Sequence, residues 1–407
     1  MHTPDFIIDF RHQFPFFNNQ LNSPISQAYL DNAATTHICQ PALDSIADYY
    51  QYHHANVHRS SHQLALGTSN QFESIRQKTA DWLNAAEKDE IVWTKGATEA
   101  ANLIANGLCE SHLQAGDEII IALSEHHAHF VTWQQLAKKY QLELTIAKLD
   151  EQLRIDLQAL HTQISDKTRV IALAHVNNAT GVKQPVEEII ELATNNNIIT
   201  IIDGSQAINH MPINVQQLAC DFYFFSAHKM YAGTGLGVCY GKKSRLIALP
   251  PYQYGGEMVK QVSLTESEFN QLPYKFEAGT PNISGVFALG ATLDFLANQN
   301  LNKLRAYEHK LTEYLIEQLK KRSAISLLAT EQLTGAVSFI IKDFHSADAA
   351  ELLSQMGIAI RSGSHCAMPL IQSIAPGGSL RVSIAAYTLI EEIDYFLSCL
   401  DQLDDFL

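Results

Sequence analysis

The chain has 407 residues, 46% of them hydrophobic and 17% charged, which supplies apolar material for two packed cores and excludes a disordered chain. A formal net charge of -15 with no offsetting basic block excludes a nucleic-acid binder, since phosphate would be repelled at long range. Cys39, Cys109, Cys220, Cys239, Cys366 and Cys399 are scattered without a CxxC pair, which speaks against a disulfide framework and a thiolate zinc site.

The N-terminal MHTPDFIIDFRHQFPFF carries acidic residues and too short an apolar run for a signal peptide, and no uncharged apolar stretch of about 18 residues follows. A soluble, cytoplasmic protein without membrane contact is expected. Residues 1–18 are too short to fold alone and are expected to pack on the small domain described below. Within residues 19–290, and mainly from Glu90 to Tyr240, short apolar runs alternate with amphipathic stretches: EIVWT, EIIIAL, LTIAKL, RVIALAHV, IITIID, DFYFFS and LGVCYG. Several are apolar throughout, as parallel strands covered on both faces are. Helices between them are expected from Phe130 to Tyr140 and from Pro185 to Asn195, the second with proline in its first turn. This βαβ rhythm predicts an α/β fold with a mostly parallel seven-stranded sheet between helices.

Residues 291–407 change texture. A charged amphipathic helix (Leu301 to Arg322) precedes AVSFII, a helix from Ala347 to Met356, IAIRSG, LRVSIAA and a last helix. The pattern predicts a smaller α+β domain. The last helix is expected to open on a capping box from Thr388 to Glu391, with Ile393, Phe396, Leu397, Leu400 and Leu403 on one face.

Six segments carry candidate chemistry. In WTKGATEAANL a strand runs through Gly96 into a helix with Thr98 in its first turn, which makes either an anion site or a plain connection. SEHHAHFVTW holds His126, His127 and His129, of which only His126 and His129 would share a helical face. No HExxH spacing supports a metal, and an imidazole shuttling protons beside an aromatic cofactor is the better functional reading. Asp203 closes the apolar strand of IITIIDGSQA, at the edge where open α/β sheets bind ligands, or serves as a turn aspartate. SAHK puts Lys229 just past a strand, as a Schiff-base nucleophile or as a lysine lying over a loop. IAIRSGSHCAMPL sets Cys366 in a short loop near His365 and Arg361, where cationic neighbours would favour a thiolate; the bland alternative is a buried spectator. In GGSLRVSIAAY, Arg381 could grip a carboxylate with its planar fork.

Taken in order, YLDNAATT, HANVHRSSHQL, GATE, EHHA, NNATG, DGSQA, SAHK, EAGTPN, RSGSHCAMP and R-x-S resemble the group II cysteine desulfurases, the SufS/CsdA type among fold-type I pyridoxal-phosphate enzymes. The likeness spans nearly the whole chain. It implies that Lys229 carries pyridoxal 5'-phosphate, with Asp203 at the pyridine nitrogen, Gln206 at the ring hydroxyl, Asn178 beside the ring and His126 stacked on it. Thr98, Ser226 and His228 would bind the phosphate, joined by Thr280 from the second subunit of a homodimer. Ala97 stands where a second threonine is common, leaving its backbone N–H for that task, and Ala227 and Ala232 depart from a usual SGHK-LYGP pattern. Arg381 would hold the substrate carboxylate, Arg361 would line the pocket, and His58 would belong to an active-site loop. The implied reaction takes sulfur from L-cysteine onto Cys366 as a persulfide and releases alanine. The short cysteine loop is expected to recess Cys366 and to favour discharge to a SufE/CsdE-like acceptor protein, serving iron-sulfur assembly or other sulfur trafficking; selenocysteine lyase activity is compatible with the same parts. The alternatives are another enzyme of this fold, such as a kynureninase-like hydrolase or an epimerase, and a non-catalytic assembly scaffold. A dinucleotide site is disfavoured, because Gly233-Thr-Gly-Leu-Gly does not spell GxGxxG and leads into a strand.

Overall fold

The computed structural model describes residues 2–18 and 28–403. Its centre is a seven-stranded sheet built from Ile91–Thr94 (β1), Glu118–Ala122 (β2), Glu143–Ala147 (β3), Thr168–Ala174 (β4), Ile199–Asp203 (β5), Phe222–Ser226 (β6) and Gly237–Gly241 (β7). The spatial order is β1-β7-β6-β5-β4-β2-β3. All seven expected runs are strands, and every pairing is parallel except those of β7, which runs antiparallel to both β6 and β1. Each residue of β1, β2, β5, β6 and β7 is buried, so these strands are covered on both faces; β4 is buried apart from Arg169, and the edge strand β3 keeps most of its positions at least partly exposed.

The helices that matter for the site follow strands: α1 (Ala97–Ser111) after β1 and α2 (His127–Tyr140) after β2. A third, α3 (Val186–Asn195), begins one residue later than expected, with Pro185 as its cap rather than inside its first turn. Near the other end of the chain Ile325–Leu327 (β8), Ala336–Ile341 (β9), Arg361–Gly363 (β10) and Ser379–Ser383 (β11) form an antiparallel sheet in the order β8-β9-β11-β10. The run IAIRSG is split: Ile358–Ala359 pairs in parallel with Ala28–Tyr29, and only the second half joins that sheet. The helix Ile283–Ala297 runs continuously through position 290.

The last helix, α5 (Ile390–Gln402), with α4 being Met368–Ile374, begins later than the sequence pattern predicts. The expected box from Thr388 to Glu391 does not form. Glu392 accepts the Leu389 N–H at 2.8 Å, while Glu391 is drawn away to the Thr3 hydroxyl at 2.5 Å and Thr388 Oγ accepts from the Ala385 N–H. Its apolar face, Ile393, Phe396, Leu397, Leu400 and Leu403, is buried as the spacing predicts.

Two long-range ties fix the frame. Arg11 donates to both oxygens of Glu392 at 2.8 and 3.0 Å and to the Tyr387 carbonyl, while Phe14 meets Tyr387 edge-on at 4.6 Å and Tyr231 at 5.2 Å. Arg76, fully buried, donates to Glu277 at 2.6 and 2.9 Å, and Glu277 also accepts the Trp93 N–H of β1 at 2.7 Å. A buried pair of this kind offsets its own desolvation only with such full hydrogen bonding. The glutamate of EAGTPN is therefore structural. Among the described residues no helix is long and apolar enough to cross a membrane.

Candidate active site

The C-terminal ends of the parallel strands converge on one cavity of about 190 Å³, where open α/β sheets place their ligands. β5 delivers Asp203 as its last residue, and Gln206 follows in the next turn. β6 ends at Ser226 and passes into a single 3-10 turn, Ala227–Lys229, which presents His228 and Lys229. β1 runs through Gly96 into α1, so that Ala97 and Thr98 open a helix whose first-turn N–H groups lack intrahelical acceptors. Ser226 Oγ accepts the Ala97 N–H at 2.8 Å and ties that helix start to the lysine turn. A side chain on Gly237 would come within 2.5 Å of the Gly96 backbone, so this close approach requires glycine.

His126 caps α2, its Nδ1 accepting the Ala128 N–H at 3.0 Å, which leaves the ring proton on Nε2. Burial, reinforced by the charge of Lys229, lowers its pKa to about 4, and the same two causes bring His228 to about 4. Both rings are neutral at ordinary pH. Burial also lowers the pKa of the Lys229 amine; Asp203 opposes this and Arg381 adds to it. An amine held down in this way is a competent nucleophile and base.

The opposite wall comes from residues far along the chain. Asn178 Nδ2 donates to the His365 carbonyl at 2.5 Å, and the Asn178 carbonyl accepts from Arg381 Nη1 at 2.8 Å. Asp31 pairs with Arg381 Nη2 at 2.8 Å and with Arg361 Nε at 3.4 Å. Cys366 lies between β10 and α4, beside these arginines on the cavity wall. Cys366 is not recessed as the short loop suggests: the residue is exposed at the cavity's edge, beside buried His365, and both lie in the left-handed region (φ 50° and 57°).

Of the residues singled out from the sequence, Ala97, Thr98, His126, Asn178, Asp203, Gln206, Ser226, His228, Lys229, Arg361, Cys366 and Arg381 line this cavity together. Two do not. Thr280 lines a separate hollow with Trp93, Lys95 and Gly235, and His58 pairs with Glu73 at 3.1 Å and packs edge-on against Phe72 and Tyr274. The three neighbouring histidines diverge: His126 faces the cavity, His127 contacts the cysteine loop, and buried His129 bonds to Glu125 at 3.2 Å. Sequence reasoning gave no role to Asp31, Ala33 or Ser205. The first two lie in YLDNAATT, where Gln206 Nε2 donates to the Ala33 carbonyl at 2.9 Å.

The donor set fits pyridoxal phosphate. A buried lysine of lowered basicity, a carboxylate at a strand end and a helix N-terminus with a hydroxyl answer its aldehyde, ring nitrogen and phosphate. Ser205 Oγ, His365 Nδ1 and Arg381 Nε, all on residues of this wall, are buried without a protein partner, as groups awaiting a polar ligand are.

Residues 28–396 match the aminotransferase class-V family. A probable cysteine desulfurase of Pseudomonas putida is 43% identical over 92% of this chain and 93% of its own length. One from Vibrio cholerae is 39% identical over 98% of each. The crystal structure of the cysteine desulfurase CsdA from Escherichia coli superposes with a TM-score of 0.91 at 34% identity, covering 98% of this chain and 99% of that one. The apo cysteine desulfurase from Thermococcus onnurineus does so at 0.93 with 33% identity, over 100% and 99%. The chain belongs to the class-V aminotransferases, with the fold-type I architecture. Within them it is a cysteine desulfurase of the SufS/CsdA type.

Proposed function

We propose that this enzyme carries pyridoxal 5'-phosphate on Lys229, takes the sulfur of L-cysteine onto Cys366 and releases L-alanine. The observation that carries this reading is that Lys229 lines one cavity with Cys366 and Arg381 although it stands far from both in sequence. When bound, the cofactor supplies an electron sink that makes the substrate Cα–H acidic. Arg381, already oriented by Asp31 and the Asn178 carbonyl, grips the substrate carboxylate. Asp203 would hold a proton at the ring nitrogen, and the Ala97–Thr98 helix start with Ser226 and His228 would receive the phosphate. With the cofactor bound, the Lys229 amine would be placed to accept the Cα proton. Cys366 Sγ, as thiolate, attacks the substrate sulfur; an S–S bond forms, the C–S bond breaks with its electrons on the carbon fragment, and that fragment leaves as alanine after reprotonation.

The same reading includes a homodimer in which the partner subunit's Thr280 completes the phosphate site, consistent with Thr280 lying off the cavity of its own chain. It includes a SufE/CsdE-like acceptor for the persulfide, which the exposure of Cys366 suits. Cys366 and the five other cysteines being unpaired among the described residues supports work in a reducing cytoplasm. The test is to expose the purified enzyme to cysteine, measure alanine and map persulfide by mass spectrometry. Stoichiometric alanine with one added sulfur on Cys366 is expected; alanine formed with the extra sulfur elsewhere, or not at all, would sink the assignment.

A further inference from the structure

We propose that His127 is the positioning residue for the sulfur-accepting cysteine, clamping the Cys366 loop on both sides through its own backbone and its own ring. Two successive non-glycine residues, His365 and Cys366, sit in the left-handed region, with φ 50° and 57°. Such conformations cost free energy and persist only where the surroundings over-determine them. His127 supplies much of that determination. Its N–H donates to the Cys366 carbonyl at 2.8 Å, and its Nε2 accepts the Met368 N–H at 3.1 Å. The Met368 amide belongs to the first turn of α4 and has no acceptor within the helix, so the imidazole acts as the cap that this helix start lacks. Asn178, bonded to the His365 carbonyl, holds the residue before the cysteine.

His127 is also the first residue of α2, next to His126, which faces the cavity. One helix start therefore carries both the imidazole beside the reacting centre and the clamp on the thiol loop. The distance between the two halves of the reaction is set by a dipeptide. Acceptance at Nε2 requires that this nitrogen carry no proton, so a side chain that offers an acceptor at the same reach should replace histidine. Glutamine does so; phenylalanine fills the space without an acceptor.

This inference rests on Cys366 being the sulfur acceptor, and the test separates the two. Amide hydrogen exchange of residues 364–368, alkylation of Cys366 by iodoacetamide, and single-turnover persulfide formation are measured for the wild-type holoenzyme, His127→Phe and His127→Gln. In His127→Phe, exchange at Met368 should speed up and persulfide formation should fall about ten- to hundredfold, the loss expected from a misplaced nucleophile. The cofactor absorbance change on adding cysteine should keep its wild-type rate. His127→Gln should restore both exchange and persulfide formation. Wild-type exchange and persulfide rates in His127→Phe would overturn the clamp, as would a Gln variant as impaired as the Phe variant. Sulfur release from Cys366→Ser at the wild-type rate would overturn the parent reading instead, with the exchange data still judging the clamp.

Discussion

The carboxylate of Asp31 accepts from Arg381 Nη2 at 2.8 Å, joining a loop near one end of the described chain to β11 near the other. The guanidinium is almost completely buried and is held at both Nη atoms, by Asp31 and by the Asn178 carbonyl, so its orientation is fixed before any substrate arrives, with Nε left free of a protein partner. Pre-orientation of this kind cuts the entropy lost on binding.

The first prediction concerns that arginine. Lysine in its place keeps the charge and loses the planar fork, so Arg381→Lys should raise KM for cysteine by about ten- to hundredfold, as the loss of a charge-assisted bond of about 1.5–3 kcal/mol implies. Steady-state alanine production against cysteine concentration checks it. An unchanged KM would place the carboxylate elsewhere.

A second prediction separates proton removal from sulfur transfer. In the proposed mechanism cysteine binding and removal of the Cα proton rest on Lys229 and Arg381 and not on Cys366, so Cys366→Ser should still show the rapid absorbance change of the cofactor on mixing with cysteine. Alanine and sulfide production should drop at least about a hundredfold, since a hydroxyl does not replace a thiolate nucleophile. A mutant with no absorbance change would show that Cys366 also shapes the binding site.

The third is a stability profile. His37, His126, His175 and His228 are held at about 4, and His365 at about 3, with burial the first cause in every case. The unfolded chain binds those protons near the ordinary value of about 6.5. Stability from these groups is therefore full above about pH 6.5 and is lost as pH falls toward about 4. Glu125 and Glu392 are raised by burial and carry the opposite sign, but they are outnumbered. Thermal unfolding followed from about pH 7 down to about pH 4 should show Tm falling throughout this window; a flat profile would mean that the histidines titrate normally.

The fourth tests the turn under Asn178. Gly181 has φ 78°, and a Cβ there would lie 2.0 Å from the Ala336 carbonyl oxygen of β9. Gly181→Ala should cost about 1–3 kcal/mol. Urea unfolding midpoints measure it, and a midpoint equal to wild type would contradict the close approach.

Much of this was legible in the residues. Apolar runs such as DFYFFS and IITIID need no partner to declare themselves, because burial on both faces leaves no polar alternation. Where those runs stop places Lys229 and Asp203 at strand ends, but each kept a bland alternative until the whole series of motifs was taken together. Asp31 was not legible: nothing local distinguishes one acidic loop residue, and its meaning depends on arginines that only the tertiary fold brings near. The helix start at Thr388 was misread for a related reason, since the TxxE spacing fits a cap but Thr3 competes for Glu391. The exposure of Cys366 was hidden too, because loop length does not report the left-handed turn at His365 and Cys366.

The antiparallel strand β7, wedged between β1 and β6, has a bearing on biosynthesis. Among the described residues the only sheet neighbour of β1 is β7, so residues 91–94 have no strand to pair with there until residue 241 has been translated and has cleared the ribosome. During that interval α1, whose first turn faces the cavity, lacks its final seat, and an apolar edge waits unpaired. Long-range pairing of this kind is slow and exposes hydrophobic surface to aggregation. Nascent chains stalled before residue 237 should therefore engage chaperones, whereas chains extended past 241 can close the sheet on which the cofactor pocket is built.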